Sequence, residues 1–364
     1  MKITIFVDQL NLGGAGRIAS ILTEGLNKRG YNLSLVTDTH KKIVYNIPSS
    51  IPIHPYPNIS YSDSHSIYKK CNRFAKRLWY WRNIIKQERP DLIIAFLPTT
   101  FFEVKIASLG LGIPIIASDH TSMGRNLGRY INFLRHKFYK YADAVTILTK
   151  KDDQILDKRL PNKVVVYNPL TYSPIDTLRE RRKNILCAGR VDQWDIKGFD
   201  RMISMWATLS PMHPDWTLEI AGPGSDKSIM YLTEIAQQHN VAHSVRFLGQ
   251  IGQMDKLYQD SAIFALPSRV EGFPMVLLEA MSQGCACISF DMQNAIYEII
   301  SNNYDGIIVQ DNNVKEFITQ LDILISEDDK RNDIALNAIQ SVRRFDKEIF
   351  TDNWEKLIHN IANE

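Results

Sequence analysis

Short apolar, β-branched runs separated by longer amphipathic segments recur along this chain, and after a break in the middle the series starts again. Runs of this kind are buried on both faces, which requires a parallel sheet covered by helices, so the chain must be built from repeated βα units. In the first half the pattern predicts strands over residues 2–7, 32–37, 91–96, 114–118, 144–148 and 163–166. Helical segments are predicted between them, for instance over 15–28, 66–87 and 131–141. The stretch from Tyr167 to Lys183 holds two prolines and a charged cluster at 179–183, and it reads as a connection. Strands are then expected over 184–188, 216–221, 244–248, 262–266 and 286–290, and helices over 314–326, 330–343 and 348–363. The expected fold class is α/β, with two tandem Rossmann-like domains over 1–168 and 184–345. A linker spans 169–183, and a final helical segment, 346–364, packs back towards the first domain. At 364 residues the chain exceeds the ~250–300 at which single cores stop growing, which agrees with two domains. Sheets of this type bind ligands at the carboxyl ends of their strands, so the two are expected to face a common cleft.

Composition excludes several classes. With 45% hydrophobic and 23% charged residues the chain is neither disordered nor fibrous. No apolar run reaches the ~18–20 residues of a membrane-spanning helix, and the start lacks a secretory apolar region, so a cytoplasmic location is expected. Cys71, Cys187, Cys285 and Cys287 have no CxxC spacing, which leaves them as core residues in a reducing compartment.

The net charge of +3 is a cancellation. Residues 1–170 carry 25 Lys and Arg against 12 Asp and Glu, a net of +13, whereas residues 171–364 carry 18 against 28, a net of −10. The first half is therefore expected to meet an anionic partner. Between Lys69 and Arg89 lie Lys70, Arg73, Lys76, Arg77, Arg82 and Lys86, with Glu88 the only acid. Phe74, Leu78, Trp81 and Ile85 form one apolar stripe at helical spacing. A helix docked on a core with a solvated basic face satisfies this pattern. So does a helix on an anionic membrane, with Arg73, Lys76, Arg77 and Arg82 facing lipid. A second basic stretch holds Arg125, Arg129, Arg135, His136, Lys137 and Lys140. No nucleic-acid-binding signature is present, so nucleic acid is not an expected partner.

Three segments carry chemistry. Leu12-Gly13-Gly14-Ala15-Gly16 follows the first strand and opens the first helix, where glycines admit close approach and helix amides attract an anion. It fits neither the dinucleotide fingerprint nor the P-loop. Cys187-Ala188-Gly189-Arg190, with Lys197-Gly198, places two cations at the mouth of the second sheet, suited to clamping a diphosphate. The third runs from Ser268 to Met281. A loop containing Glu271, Gly272 and Phe273 leads through Pro274 and Met275 into an apolar helix that bears Glu279. Proline suits the first helical turn, loop amides there can hold a phosphate, and a lone carboxylate on an apolar helix demands partners.

Glu271 and Glu279 as E-x7-E, within EGFPMVLLEAMSQG, closely resemble the signature of retaining glycosyltransferases of family 4, which have the GT-B fold. Gly13-Gly14-Ala15, Ala188-Gly189-Arg190 with Lys197-Gly198, Ala221-Gly222-Pro223-Gly224, Phe247-Leu248-Gly249 and Asp305-Gly306 resemble further landmarks of the family, so the likeness covers nearly the whole chain. It implies an acceptor-binding first domain and a second domain that binds a nucleotide sugar. It assigns Glu271 to the donor sugar's hydroxyls and Glu279 to the ribose. Arg190 and Lys197 would take the diphosphate, Phe273, Met275 and the amides around Pro274 would support its phosphates, and the backbone of 248–251, including Gly249, would meet the base. His120, with Asp119 orienting it, and Gly13 and Gly14 would lie on the acceptor side. The catalytic group would be Glu271, His120, Arg190 and Lys197.

There are two departures from the family. Arg190 and Lys197 are spaced more widely than usual, and Gly16 stands where an acid is usual. The expected activity is transfer of a hexose or N-acetylhexosamine from a nucleotide sugar, UDP-linked, to a polyprenyl-diphosphate-linked or free glycan in bacterial surface polysaccharide synthesis. The enzyme would need no metal or cofactor and would sit peripherally on the inner face of the membrane. The rival readings are a GT-B enzyme with a soluble acceptor and a non-catalytic subunit binding nucleotide or lipid.

Overall fold

The computed structural model describes residues 1–11, 13–56, 67–156, 160, 162–292 and 295–362. Leu12, Ser66 and Asn363, which the sequence reading drew into the glycine loop and two helices, lie outside the described residues, as do the side chains of Lys69 and Lys70. The chain forms two compact units, one of Met1–Pro169 with Lys347–Glu364, the other of Leu170–Asp346.

Among the described residues the first unit holds seven strands: β1 (Lys2–Phe6), β2 (Asn32–Thr37), β3 (Ile53–Pro55), β4 (Leu92–Phe96), β5 (Ile115–Ser118), β6 (Ala144–Ile147) and β7 (Lys163–Val165). All pair in parallel, in the order β3-β2-β1-β4-β5-β6-β7. The register sets apolar residues side by side: Ile5 of β1 pairs with Leu35 of β2 and Ile94 of β4. β3 has no counterpart among the predicted strands, because three half-exposed residues ending in proline leave no readable alternation.

The helix Ile67–Glu88 covers this sheet with the expected stripe. Trp81 and Ile85 are buried, and the Trp81 ring contacts both Phe6 and Tyr56 at 5.4 Å. Of the membrane-facing row read from this helix, Arg77 and Arg82 are engaged within the unit. Arg77 turns to the buried carboxylate of Glu103 and lies over the Trp81 ring. Arg82 donates to the carbonyls of Ala107 and Leu109 at 2.7 and 2.8 Å, completing the end of the neighbouring helix Pro98–Ala107. Arg73 is half-buried and also engaged, which leaves Lys76 exposed. No helix among the described residues is long and apolar enough to cross a membrane.

The last helix, Lys347–Ala362, belongs to the first unit, where it lies along the helix Gly14–Lys28. Phe350, Trp354, Leu357 and Ile358 form its buried stripe. Arg29 anchors it through Glu348, Asp352 and Glu355, and Tyr31 donates to Glu355 at 3.0 Å.

The second unit holds, among the described residues, β8 (Arg182–Ala188), β9 (Thr217–Ala221), β10 (Val245–Gly249), β11 (Ser261–Leu266), β12 (Ala286–Phe290) and β13 (Ile307–Val309). They are parallel, in the order β10-β9-β8-β11-β12-β13, the strand order of a doubly wound nucleotide-binding sheet. The segment read as a linker runs along this unit. Ile175 donates its amide to Ser282, Gln283 donates to the Ser173 carbonyl, and Arg181 donates to the carbonyls of Tyr258, Ser261 and Gln283. Cys187, Cys285 and Cys287 are buried, as expected of core residues, whereas Cys71 is exposed.

A Cβ at Gly25 would lie 2.4 Å from Thr351 Oγ1. Gly25→Val is therefore expected to push the last helix outward and to cost about 1–3 kcal/mol, the usual penalty of overpacking. Hydrogen exchange should speed up across 347–362 and stay unchanged in β8–β13; unaltered exchange in that helix would refute the contact.

Candidate active site

In the second sheet the strand order reverses between β8 and β11, and a doubly wound sheet binds its ligand at the carboxyl side of such a reversal. β8 leads through Gly189 and Arg190 into a 3₁₀ turn, Val191–Gln193, and a short helix, Trp194–Lys197. β11 leads through Pro267 to Pro274 into the helix Met275–Ser282.

These two exits are joined along their length. Gly198 has φ +69°, and a Cβ on it would lie 1.8 Å from the Pro267 carbonyl oxygen, so only glycine admits the approach. The Arg269 amide donates to the Ile196 carbonyl at 2.7 Å, and its guanidinium grips the Asp200 carboxylate through two bonds of 2.8 and 2.7 Å. Arg201, buried and stacked 4.0 Å from the Phe290 ring centre, donates to the carbonyls of Pro267 and Ser268 and to Asp311. The result is a fixed pair: Lys197 Nζ lies 2.8 Å from Glu271 Oε1, which also accepts from Ser268 Oγ at 2.8 Å. Arg190 stands exposed where β8 ends.

The next exit, after β9, is held the same way. Gly222 has φ +142°, and a Cβ there would lie 1.8 Å from the Gly189 carbonyl oxygen. Its amide donates to Gly249, the last residue of β10, at 2.8 Å. Phe273 is buried and packs edge-on against Phe345. The helix begins at Met275, one residue after Pro274, whose carbonyl accepts from the amides of Leu277 and Leu278 at 3.0 and 3.4 Å, so the amides of Met275 and Val276 are the ones that a helix start leaves without an intrahelical acceptor. Glu279 is 3% exposed. Its Oε1 accepts from Thr171 at 2.8 Å and its Oε2 from the buried Tyr258 hydroxyl at 3.0 Å. Burial, reinforced by the Glu279 charge, raises the Tyr258 phenol well above its ordinary pKa, so it stays a donor. The partners demanded by a carboxylate on an apolar helix are thus Thr171 and Tyr258. Neither was legible, because Tyr258 reads as one more apolar position and Thr171 as linker.

In the first unit, the Tyr45 hydroxyl accepts from the Gly13 amide at 3.0 Å and donates to its carbonyl at 2.9 Å, closing the glycine loop. Gly14 is exposed with open space around it. A Cβ at Gly16 would come within 2.6 Å of the Gln9 carbonyl oxygen, a packing reason for glycine where an acid was expected.

His120 follows β5, its ring stacked on Phe96 at 5.0 Å. Thr146 donates to Ser118 Oγ at 2.8 Å, and Ser118 Oγ is hydrogen-bonded in turn to His120 Nε2, 2.9 Å away. Burial pushes the imidazole pKa down to about 4, with the Asp119 charge opposing the shift.

Asp119 does not orient that ring, contrary to the sequence reading. Its carboxylate is buried against the Arg135 guanidinium (2.8 and 2.9 Å), the Tyr139 hydroxyl (2.7 Å) and the Thr121 amide (3.0 Å), which ties the loop after β5 to the helix Arg129–Phe138. Among the described residues no group of three or more His, Cys, Asp and Glu side chains could hold a metal ion.

Two family models match the chain. One, described as Glycosyl transferases group 1, covers residues 171–341, and the other, Glycosyltransferase Family 4, covers residues 12–171. The chain is 25% identical over its whole length to a Campylobacter jejuni protein, of which it covers 99%. That protein is named GalNAc-alpha-(1->4)-GalNAc-alpha-(1->3)-diNAcBac-PP-undecaprenol alpha-1,4-N-acetyl-D-galactosaminyltransferase. It is 27% identical to the amylovoran biosynthesis glycosyltransferase AmsD of Erwinia amylovora, over 98% of this chain and 99% of that one. Among solved structures, Anabaena HepE in complex with UDP and glucose superposes with a TM-score of 0.78 at 16% identity, over 99% of this chain and all of that one.

Two outcomes test this geometry. The unfolded chain protonates His120 below about pH 6.5, the folded chain not until about pH 4, so stability through this residue is complete above 6.5 and lost as pH falls towards 4. In pH-dependent denaturation the difference between wild type and His120→Asn should show that slope; parallel curves would contradict the assignment. Arg201→Met strands two buried carbonyls and is expected to cost about 2–4 kcal/mol, read by urea denaturation.

Proposed function

The chain belongs to glycosyltransferase family 4, and from that premise we propose that it transfers a hexose or N-acetylhexosamine from a UDP-sugar to a glycan carried on a polyprenyl diphosphate, with retention of anomeric configuration. The observation that carries the donor assignment is the Lys197–Glu271 pair, held at the strand reversal with Arg190 on the same loop.

An arriving diphosphate competes for Lys197 and thereby releases Glu271 to accept hydrogen bonds from the sugar's hydroxyls. Arg190, Lys197 and the first-turn amides of Met275–Ser282 meet the negative charge that grows on the diphosphate as the bond to the sugar's anomeric carbon breaks. The acceptor hydroxyl attacks that carbon from the leaving-group side, and its proton passes to the departing phosphate oxygen. With this cationic set in place, no metal is assigned to the reaction. Glu279, positioned by Thr171 and Tyr258, uses its remaining lone pairs on the ribose, and the backbone around Gly249 takes the base. Gly13, Gly14 and His120, at the strand ends of the first unit, serve the acceptor.

Support for a lipid-linked acceptor comes from the printed name of the Campylobacter relative, matched from end to end, and from the net +13 of residues 1–170. An acceptor of that kind places the enzyme at the cytoplasmic face of the membrane.

Thermal shift and transfer assays test the reading together. UDP at 100 times its dissociation constant stabilises by about 2.7 kcal/mol. Glu279→Gln is expected to weaken UDP about tenfold, the loss of one charged hydrogen bond. Glu271→Gln should keep the UDP shift and lower sugar transfer roughly a hundredfold or more. No shift with UDP, or unchanged UDP affinity in Glu279→Gln, would overturn the donor site.

A further inference from the structure

The two carboxylates of the proposed donor site are held in different ways. Glu279 has each oxygen engaged by a neutral hydroxyl, one from Thr171 and one from Tyr258. Glu271 has both of its donors on a single oxygen: Lys197 Nζ and Ser268 Oγ each lie 2.8 Å from Oε1. No hydrogen bond among the described residues engages Oε2 of Glu271.

The two donors on Oε1 respond differently to an arriving ligand. Lys197 carries its charge on a flexible stem that lies across Gly189, where a Cβ would come within 3.2 Å of the lysine's Cδ and Cε. A phosphate at the strand reversal draws that charge towards itself. Ser268 cannot follow. It is fully buried at the exit of β11, its carbonyl accepts from Arg201, and the amide of the next residue, Arg269, donates to the Ile196 carbonyl. The backbone is thus fixed through its own carbonyl and the amide that follows. Because the side chain is closed off from solvent, turning its hydroxyl away from Glu271 would leave a buried donor unmade, and that penalty keeps the bond in place.

We propose that Ser268 is the positioning residue of Glu271: its hydroxyl keeps Oε1 when Lys197 moves to the diphosphate, so that Oε2 meets the donor sugar from one fixed direction. A carboxylate that lost both donors together would be free to turn about its last torsion, which is broad for glutamate and holds no single orientation by itself. The Ser268 bond removes that freedom while the sugar is bound, and a neutral hydroxyl does so without competing for the phosphate's charge. Lys197 and Ser268 therefore divide the work, one leaving and one staying. The inference rests on the donor-site reading and adds to it a residue that acts on the sugar only through Glu271.

A crystal structure with UDP and a set of Ser268 variants test it. In the complex Ser268 Oγ is expected to stay within hydrogen-bond reach of Glu271 Oε1 after Lys197 has left; loss of both bonds together overturns the proposal. The kinetic readout is UDP release with water as acceptor, from UDP-glucose, UDP-galactose, UDP-N-acetylglucosamine and UDP-N-acetylgalactosamine. Ser268→Ala should keep the UDP thermal shift and lower kcat/KM for the best of these donors roughly tenfold, the worth of one hydrogen bond to a charged group. Ser268→Thr, which retains the hydroxyl, should restore most of that loss. In a Glu271→Ala background Ser268→Ala should cost nothing further, because nothing is left to position. The proposal is overturned, with the donor reading intact, if Ser268→Ala leaves kcat/KM unchanged or is as damaging with Glu271→Ala as without it. It is also overturned if Ser268→Ala weakens UDP itself to the same extent, which would make the serine a structural residue. A wild type with no UDP shift removes the donor reading, and this inference with it.

Discussion

The buried guanidinium of Arg201, donating to the carbonyls of Pro267 and Ser268, joins the two chain segments that carry the proposed donor site of the second unit. The exits of two neighbouring parallel strands diverge unless something ties them. Here the tie has three parts: Arg201, the Arg269–Asp200 fork, and the contact that Gly198 makes possible by lacking a side chain. Lys197 and Glu271, 74 residues apart in the chain, are thereby presented as a pair before any ligand arrives. A site ordered in advance need not be assembled at the moment of reaction, which is where electrostatic catalysis gains most.

The first unit follows a related logic with opposite emphasis. Its excess of positive charge looks like one undivided patch in the sequence, yet the structure turns part of it inward. Asp119 and Glu103 are buried acids that need cationic partners, and Arg135 and Arg77 provide them. The cations that remain outward mark the surface available to an anionic partner. The same buried pair holds the loop after β5, next to which the neutral ring of His120 is set by Ser118 and Phe96.

Most of the fold was legible because hydrophobic periodicity is a local signal. β2 and β12 match their predicted bounds, and nearly all other predicted strands agree within a residue or two. β3 and β13 escaped notice because three residues carry too little alternation to be read. Glu271, Glu279 and Lys197 stood out through their spacing and their apolar surroundings. Arg201, Tyr258 and Thr171 did not, since a residue that acts by donating to a distant carbonyl or carboxylate leaves no local pattern. The role expected of Asp119 failed for the same reason: adjacency to His120 in sequence did not reveal Arg135, 16 residues further on.

The most direct test is the structure of the protein with UDP bound. The account requires the diphosphate to lie against Arg190, Lys197 and the first turn of Met275–Ser282, with Lys197 withdrawn from Glu271 and the ribose within hydrogen-bond reach of Glu279. UDP bound elsewhere, or bound with the Lys197–Glu271 pair still closed, would contradict it.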